Sequence, residues 1–294
     1  MTEIIKSLSE ISDRYRAVYC DLWGCLHNGI APFAEAVEAL SEFKSKGGIV
    51  ILLTNSPRPA SGVQPQLNQI GVPRDLYHGI VASGDAARAA MASGDYGQKV
   101  YHIGPDRDHP FFDGVPEEDF YQGIDIDRVP LNDAEGIVCT GLFDDSTETP
   151  EDYRATLLNA KTRGLKMLCA NPDIIVDRGD ARIYCAGAIA EAYREMGGVA
   201  HYFGKPHAPI YLLARNRLAT IAGHDIPNED ILAIGDGIRT DIAGASGEGI
   251  DALFITGGLA KTDTGTVQQP DAAKLEAFLA SSQLAPQFAM GYLR

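Results

Sequence analysis

The stretch Ala17-Val18-Tyr19-Cys20-Asp21-Leu22-Trp23-Gly24-Cys25 decides how this chain is read. It opens with apolar residues in unbroken succession, the mark of a short strand buried on both faces, and the strand ends on a carboxylate. The same grammar recurs on either side. Phe33, Val37, Leu40 and Phe43 return at helical spacing until Gly47-Gly48 stops the helix. Ile49-Val50-Ile51-Leu52-Leu53 is a second apolar strand, ending at Thr54-Asn55-Ser56, and Gly79–Ala82 is a third. Far along the chain, Ile210, Leu213, Leu218 and Ile221 fit a helix. Ile231–Ile234 then reads as a strand ending at Gly235-Asp236-Gly237, and Ala252–Ile255 as one ending at Thr256-Gly257-Gly258. Strands alternating with helices predict an α/β fold, a parallel sheet with helices on both faces. Ligands bind such sheets at the carboxyl ends of the strands. Asp21, Thr54 and Asp236 all stand at such ends.

The middle of the chain also reads as strand and helix, with strands expected at Val100–Ile103, Ile137–Thr140 and Leu165–Ala170. A self-contained segment between two halves of one sheet predicts an inserted domain at 98–200, with 1–97 and 201–294 forming a discontinuous core. The acidic, proline-containing stretch Asp106–Asp133 reads as a long loop. Its Asp106, Asp108, Glu117, Glu118 and Asp119 read as solvated surface.

The 294 residues suit two domains, and 45% hydrophobic with 22% charged residues is ordinary for a globular protein. A net charge of −15 and a pI near 4.8 argue against nucleic acid or an anionic membrane as partner, since both need a basic surface. Five cysteines without CxxC spacing read as buried reduced thiols. With neither a signal-like apolar core at the N-terminus nor a membrane-length apolar run, a cytoplasmic location is expected.

Singly, the candidate residues have ordinary explanations. Asp21 reads as a nucleophile, a metal ligand or a helix cap. Thr54, Asn55 and Ser56 offer a hydroxyl, an amide and backbone N–H groups that suit a phosphate, or cap the helix after Pro57. Lys205, in Gly204-Lys205-Pro206, suits a phosphate or simple solvation. Asp236 and Asp241 suit a hard cation held by oxygen ligands, or a turn and a cap.

In this order, the four segments resemble the four motifs of the haloacid dehalogenase (HAD) superfamily. Cys169-Ala170-Asn171-Pro172-Asp173, Cys185-Ala186-Gly187-Ala188 and Tyr202-Phe203-Gly204-Lys205-Pro206 resemble its subclass IIA of sugar-phosphatase and nucleotidase-like hydrolases. The likeness runs from about Tyr19 to Gly258. It implies a Rossmann-like parallel-sheet core with the large inserted α/β cap domain of that subclass. The implied activity is magnesium-dependent hydrolysis of a small phosphorylated metabolite, such as a sugar phosphate or nucleotide, through an aspartyl phosphate on Asp21. Magnesium would be held by Asp21, the Trp23 backbone carbonyl, Asp236 and Asp241. The phosphoryl oxygens would be held by Thr54, Asn55, Ser56 and Lys205, with Lys205 also catalytic. Asn171, Asp173, Cys185 and Gly187 would face the substrate from the cap. Subclass members often pair through their caps, which implies a homodimer.

One position departs from the pattern. The family's first motif is Asp-x-Asp, and its second aspartate passes protons to the leaving group and from water. Trp23 stands there, and an indole N–H donates but accepts nothing. Three readings follow: a preference for substrates with good leaving groups, a substitute acid/base such as His27, or a phosphate-ester binder with little turnover. Trp23 itself reads as cap–core packing or as a platform for a ring.

Overall fold

The computed structural model describes residues 2–113, 126–178 and 181–294. Glu117, Glu118 and Asp119 lie outside them.

The larger sheet has seven strands: β1 (Glu3–Ile4), β2 (Ala17–Cys20), β3 (Ile49–Thr54), β4 (Gly79–Ala82), β12 (Ile231–Gly235), β13 (Asp251–Ile255) and β14 (Phe288–Met290). Their order is β1-β14-β13-β12-β2-β3-β4 and every pairing is parallel. The central strands are apolar at every position because both faces are covered. Val18, Cys20, Val50, Leu52, Leu232 and Ile234 point to one face, with Leu40 and Phe43 of helix α1 (Ala34–Ser45) and Val63 and Leu67 of α2 (Ala60–Gln69). Tyr19, Ile51, Leu53, Ala233 and Phe254 point to the other. There they meet Ile210, Tyr211 and Leu218 of α6 (Ala208–Ala222), Ala245 of α7 (Ala243–Glu248), and Leu275 and Leu279 of α8 (Ala272–Ser282).

The second sheet is built from β5 (Lys99–Ile103), β6 (Asp127–Arg128), β7 (Gly136–Cys139), β8 (Lys166–Cys169) and β11 (Val199–Tyr202), in the order β11-β8-β7-β5-β6 and parallel throughout. The helices α3 (Ser83–Ala92), α4 (Arg154–Thr162) and α5 (Ala186–Glu195) pack with it: Leu157, Ala160, Ile189 and Tyr193 on one side, Ala87 and Met91 on the other. An antiparallel hairpin, β9 (Ile175–Arg178) with β10 (Ala181–Tyr184), stands apart from both sheets. The expected boundary at 200/201 falls inside β11, which pairs through Tyr202, so the second sheet draws on chain two residues beyond it. The expected loop from Asp106 to Asp133 has helical turns at Asp106–Phe111 and Leu131–Asp133 and the short β6. Asp108 in it is buried against Arg58, a correction to its reading as solvated surface. All five cysteines are free and buried. Among the described residues no helix is long and apolar enough to cross a membrane.

Candidate active site

Parallel pairing in register brings the strand ends together. Cys20 lies beside Ile234 and Leu52, so Asp21, Asp236 and Thr54 emerge side by side at the carboxyl edge. The Asp21 N–H donates to the Ile234 carbonyl at 2.8 Å, fixing where its side chain starts.

Lys205 arrives from the segment between β11 and α6. Its Nζ donates to Asp21 Oδ1 at 2.5 Å, to Asp241 Oδ1 at 2.7 Å and to the Leu53 carbonyl at 2.9 Å. Asn55 holds its backbone: Oδ1 accepts the Lys205 N–H at 2.7 Å, and Nδ2 donates to the Lys205 carbonyl at 3.1 Å. The same Nδ2 donates to Asp173 Oδ1 at 2.8 Å, so one amide ties the first sheet, the lysine and the second-sheet segment together. Thr54 Oγ1 accepts the Ser56 N–H at 3.2 Å, and Ser56 Oγ accepts the Arg58 N–H at 3.2 Å.

Asp236 Oδ2 accepts the Leu259 N–H at 3.0 Å. Gly24, at φ +76°, passes so close that a Cβ there would stand 2.2 Å from Asp236 Oδ2. Ligand atoms of Asp21, Asp236 and Cys25 all lie within 4.8 Å of one another. Asp241 is not in that group. Its Oδ1 is taken by Lys205, and its Oδ2 accepts the Gly237 N–H at 3.1 Å.

The electrostatics fit a divalent cation. Burial drives the Asp21 carboxyl up to about 7; Lys205 opposes the rise, and Asp241 and Asp173 add to it. Burial, then Asp21 and Asp241, push Asp236 well above the carboxylate range. Burial works against the Lys205 ammonium, but Asp21, Asp241 and Asp173 raise its pKa well above that of a free lysine. Three buried carboxyl groups, Asp21, Asp236 and Asp241, thus crowd one ammonium, and Asp21 and Asp236 are driven towards their protonated forms unless a cation takes the protons' place. Magnesium supplies two positive charges and prefers hard oxygen donors of the kind Asp21 and Asp236 present. Burial and the neighbouring carboxylates keep the Cys25 thiol protonated, which makes it a poor ligand for such an ion.

Above this cluster opens a cavity of about 840 Å³. Asp21, Trp23, Thr54, Ser56, Asn171, Asp173, Cys185, Lys205, Asp236 and Asp241 line it. Asn171 Oδ1 accepts the Asp173 N–H at 3.0 Å, a turn that aims Asp173 at Asn55. Burial raises Asp173 to about 6 against the pull of Lys205 and the Asn55 amide. Gly187 does not line the cavity. It backs the turn, where its N–H donates to the Asp173 carbonyl at 3.1 Å and a Cβ would meet the Pro172 carbonyl at 2.2 Å.

His27 does not line the cavity either. It is 1% exposed, its Nδ1 accepts the Gly29 N–H at 3.0 Å, and burial lowers its pKa to about 4. These contacts make it a brace for the turn after β2, not a proton relay. Trp23 forms part of the cavity wall, edge-on to His27 with ring centroids 5.3 Å apart. Sequence reasoning missed Arg58, Arg107, Asp145 and Arg178, all in the cavity wall.

Comparison with known proteins agrees with this fold. Residues 18–115 match the family described as haloacid dehalogenase-like hydrolase, and residues 202–277 match the one described as HAD-hydrolase-like. A crystal structure of a hydrolase of the haloacid dehalogenase-like family from Brucella suis 1330 is 40% identical. It covers 99% of this chain and 100% of its own, with a TM-score of 0.86. A structure from Cytophaga hutchinsonii, described as "possible sugar phosphatase, HAD superfamily", shares the fold at 17% identity and a TM-score of 0.77, covering 99% of this chain and 98% of its own. The 5'-nucleotidase YutF of Bacillus subtilis (strain 168) is 25% identical over 85% of this chain and 90% of its own length.

Proposed function

The chain belongs to the haloacid dehalogenase-like hydrolase family, and on that footing we propose that it hydrolyses small phosphomonoesters with magnesium, through an aspartyl phosphate on Asp21. The observation that carries the proposal is the Lys205 ammonium gripping Asp21 and Asp241 beside Asp236. The nucleotidase among its relatives fits the same substrate class.

Phosphoryl transfer asks a protein mainly for positioning and charge neutralisation. Asp21 and Asp236 would hold the cation, which when bound offsets the repulsion between carboxylate and phosphate. Asp21 attacks phosphorus, the new bond forming as the bond to the leaving oxygen breaks. Lys205 supplies the fixed positive charge, and Thr54, Ser56 and the backbone around Asn55 orient the phosphoryl oxygens. Water then attacks phosphorus and frees Asp21. Residues 98–202 act as the cap, with Asn171, Asp173 and Cys185 facing the substrate. Trp23 gives no proton to the departing oxygen, so esters whose leaving groups depart as stable anions turn over fastest.

A panel of phosphate esters assayed with magnesium and with a chelator tests the proposal. Magnesium-dependent phosphate release from some members is expected. Release from none, or equal release in the chelator, would overturn it.

A further inference from the structure

Away from Asp21 and Lys205, the cavity wall holds two guanidiniums on one carboxylate. Arg178 grips Asp145 with both terminal nitrogens, Nη2 to Oδ1 at 2.9 Å and Nη1 to Oδ2 at 3.3 Å, and Arg107 Nη2 bonds to Oδ2. All three line the cavity. The Asp145 side chain is only 11% exposed, while those of Arg107 and Arg178 are 48% and 37% exposed. Burial pushes Asp145 up, but Arg178 and Arg107 outweigh it and hold the carboxyl below its usual range. Asp145 therefore stays charged and keeps both forks aligned. One carboxylate balances one guanidinium, so the trio retains a positive charge inside a chain whose net charge is −15. A planar fork with unused donors is the side chain best suited to a carboxylate or phosphoryl group. Cys185 and Asp173 line the same cavity as the trio, and Asp173 accepts from the Asn55 amide there, so the trio and the Asn55–Asp173 contact face one shared space.

We propose that Arg107 and Arg178, aligned by Asp145, form a second anion site, so that the preferred substrate is a phosphomonoester carrying another compact oxyanion, a carboxylate or a second phosphoryl group. This rests on the phosphomonoesterase reading above, but the two fail separately.

Phosphonates resist hydrolysis, so their binding reports recognition apart from turnover. Calorimetry on the magnesium-loaded full chain would compare ω-carboxyalkylphosphonates of increasing length with their methyl esters and with α,ω-bisphosphonates. At the fitting length, a charged terminus is expected to tighten binding roughly tenfold or more over the ester. The larger gain identifies carboxylate or phosphoryl as the second group. Arg178→Gln and Arg107→Gln should each bring the ratio towards one, whereas Arg178→Lys should keep part of it, since the charge survives without the fork. Arg107 is half exposed, so its variant tests the site even if Arg178→Gln fails to fold. Equal affinities at every length, binding by neither form, or ratios unaltered in both glutamine variants would overturn the site. Magnesium-dependent p-nitrophenyl phosphate hydrolysis is read separately. Turnover without anion preference removes this inference alone, and preference without turnover of any ester removes the phosphomonoesterase reading alone.

Discussion

Lys205 Nζ and Asp21 Oδ1 lie 2.5 Å apart although 184 residues separate them along the chain. The lysine side chain is 2% exposed, and its ammonium also holds Asp241. Lys205→Met would therefore strand two buried carboxylates. Stability at neutral pH should fall by about 3 kcal/mol. Burial raises the Asp21 carboxyl to about 7 even with Lys205 opposing the rise. Without the lysine it would take up its proton in the folded state at still higher pH, further above the unfolded chain, so destabilisation grows as pH rises and shrinks as it falls. Urea unfolding at about pH 7 and about pH 5 checks this. A deficit that is absent, or no smaller at the lower pH, would refute the role given to this pair.

Magnesium binding should be linked to protons. The Asp21 carboxyl is raised to about 7 and Asp236 well above the carboxylate range, so without metal these groups hold protons that a cation must displace. Affinity should rise with pH between about 5 and 7, and binding should release protons. Trp23 is the only tryptophan in the sequence and lies in the cavity wall, so its fluorescence reports the titration. An affinity independent of pH would contradict the linkage.

Gly24→Ala should cripple the same titration. Its φ of +76° disfavours any side chain, and the new Cβ would stand 2.2 Å from Asp236 Oδ2. We expect magnesium affinity to drop at least tenfold, with roughly 1–3 kcal/mol of backbone strain. Wild-type affinity in a folded Gly24→Ala protein would show that Asp236 is not a ligand.

Trp23→Asp restores a proton-passing group at the departing position of the first motif. Turnover of sugar phosphates should rise roughly tenfold or more, while p-nitrophenyl phosphate, whose leaving group needs little protonation, should change little. A folded variant with no gain on sugar phosphates would mean that the tryptophan does not limit the reaction.

Much of this arrangement is legible in the sequence. The central strands are apolar on every residue, and acids, hydroxyls and glycines punctuate their ends, so both the parallel core and the convergence of Asp21, Thr54 and Asp236 can be anticipated. Lys205 becomes visible only through the order of the motifs. The edge strand Glu3–Ile4 is too short to show a period, and the Ile175–Arg178 and Ala181–Tyr184 hairpin carries Asp177, Arg178 and Arg182, which mask its pattern. The Arg107–Asp145–Arg178 trio leaves no local signature, because its members come from three separate segments and meet only in the folded chain. His27 looked available as a proton relay because sequence carries no sign that its ring is buried and its Nδ1 engaged.

The nucleophile is the claim on which the rest depends. The direct measurement is magnesium-dependent hydrolysis of p-nitrophenyl phosphate by Asp21→Asn, with circular dichroism confirming the fold. Loss of at least roughly 10³-fold in kcat is predicted. A folded Asp21→Asn protein that turns over within a few-fold of wild type would contradict the account.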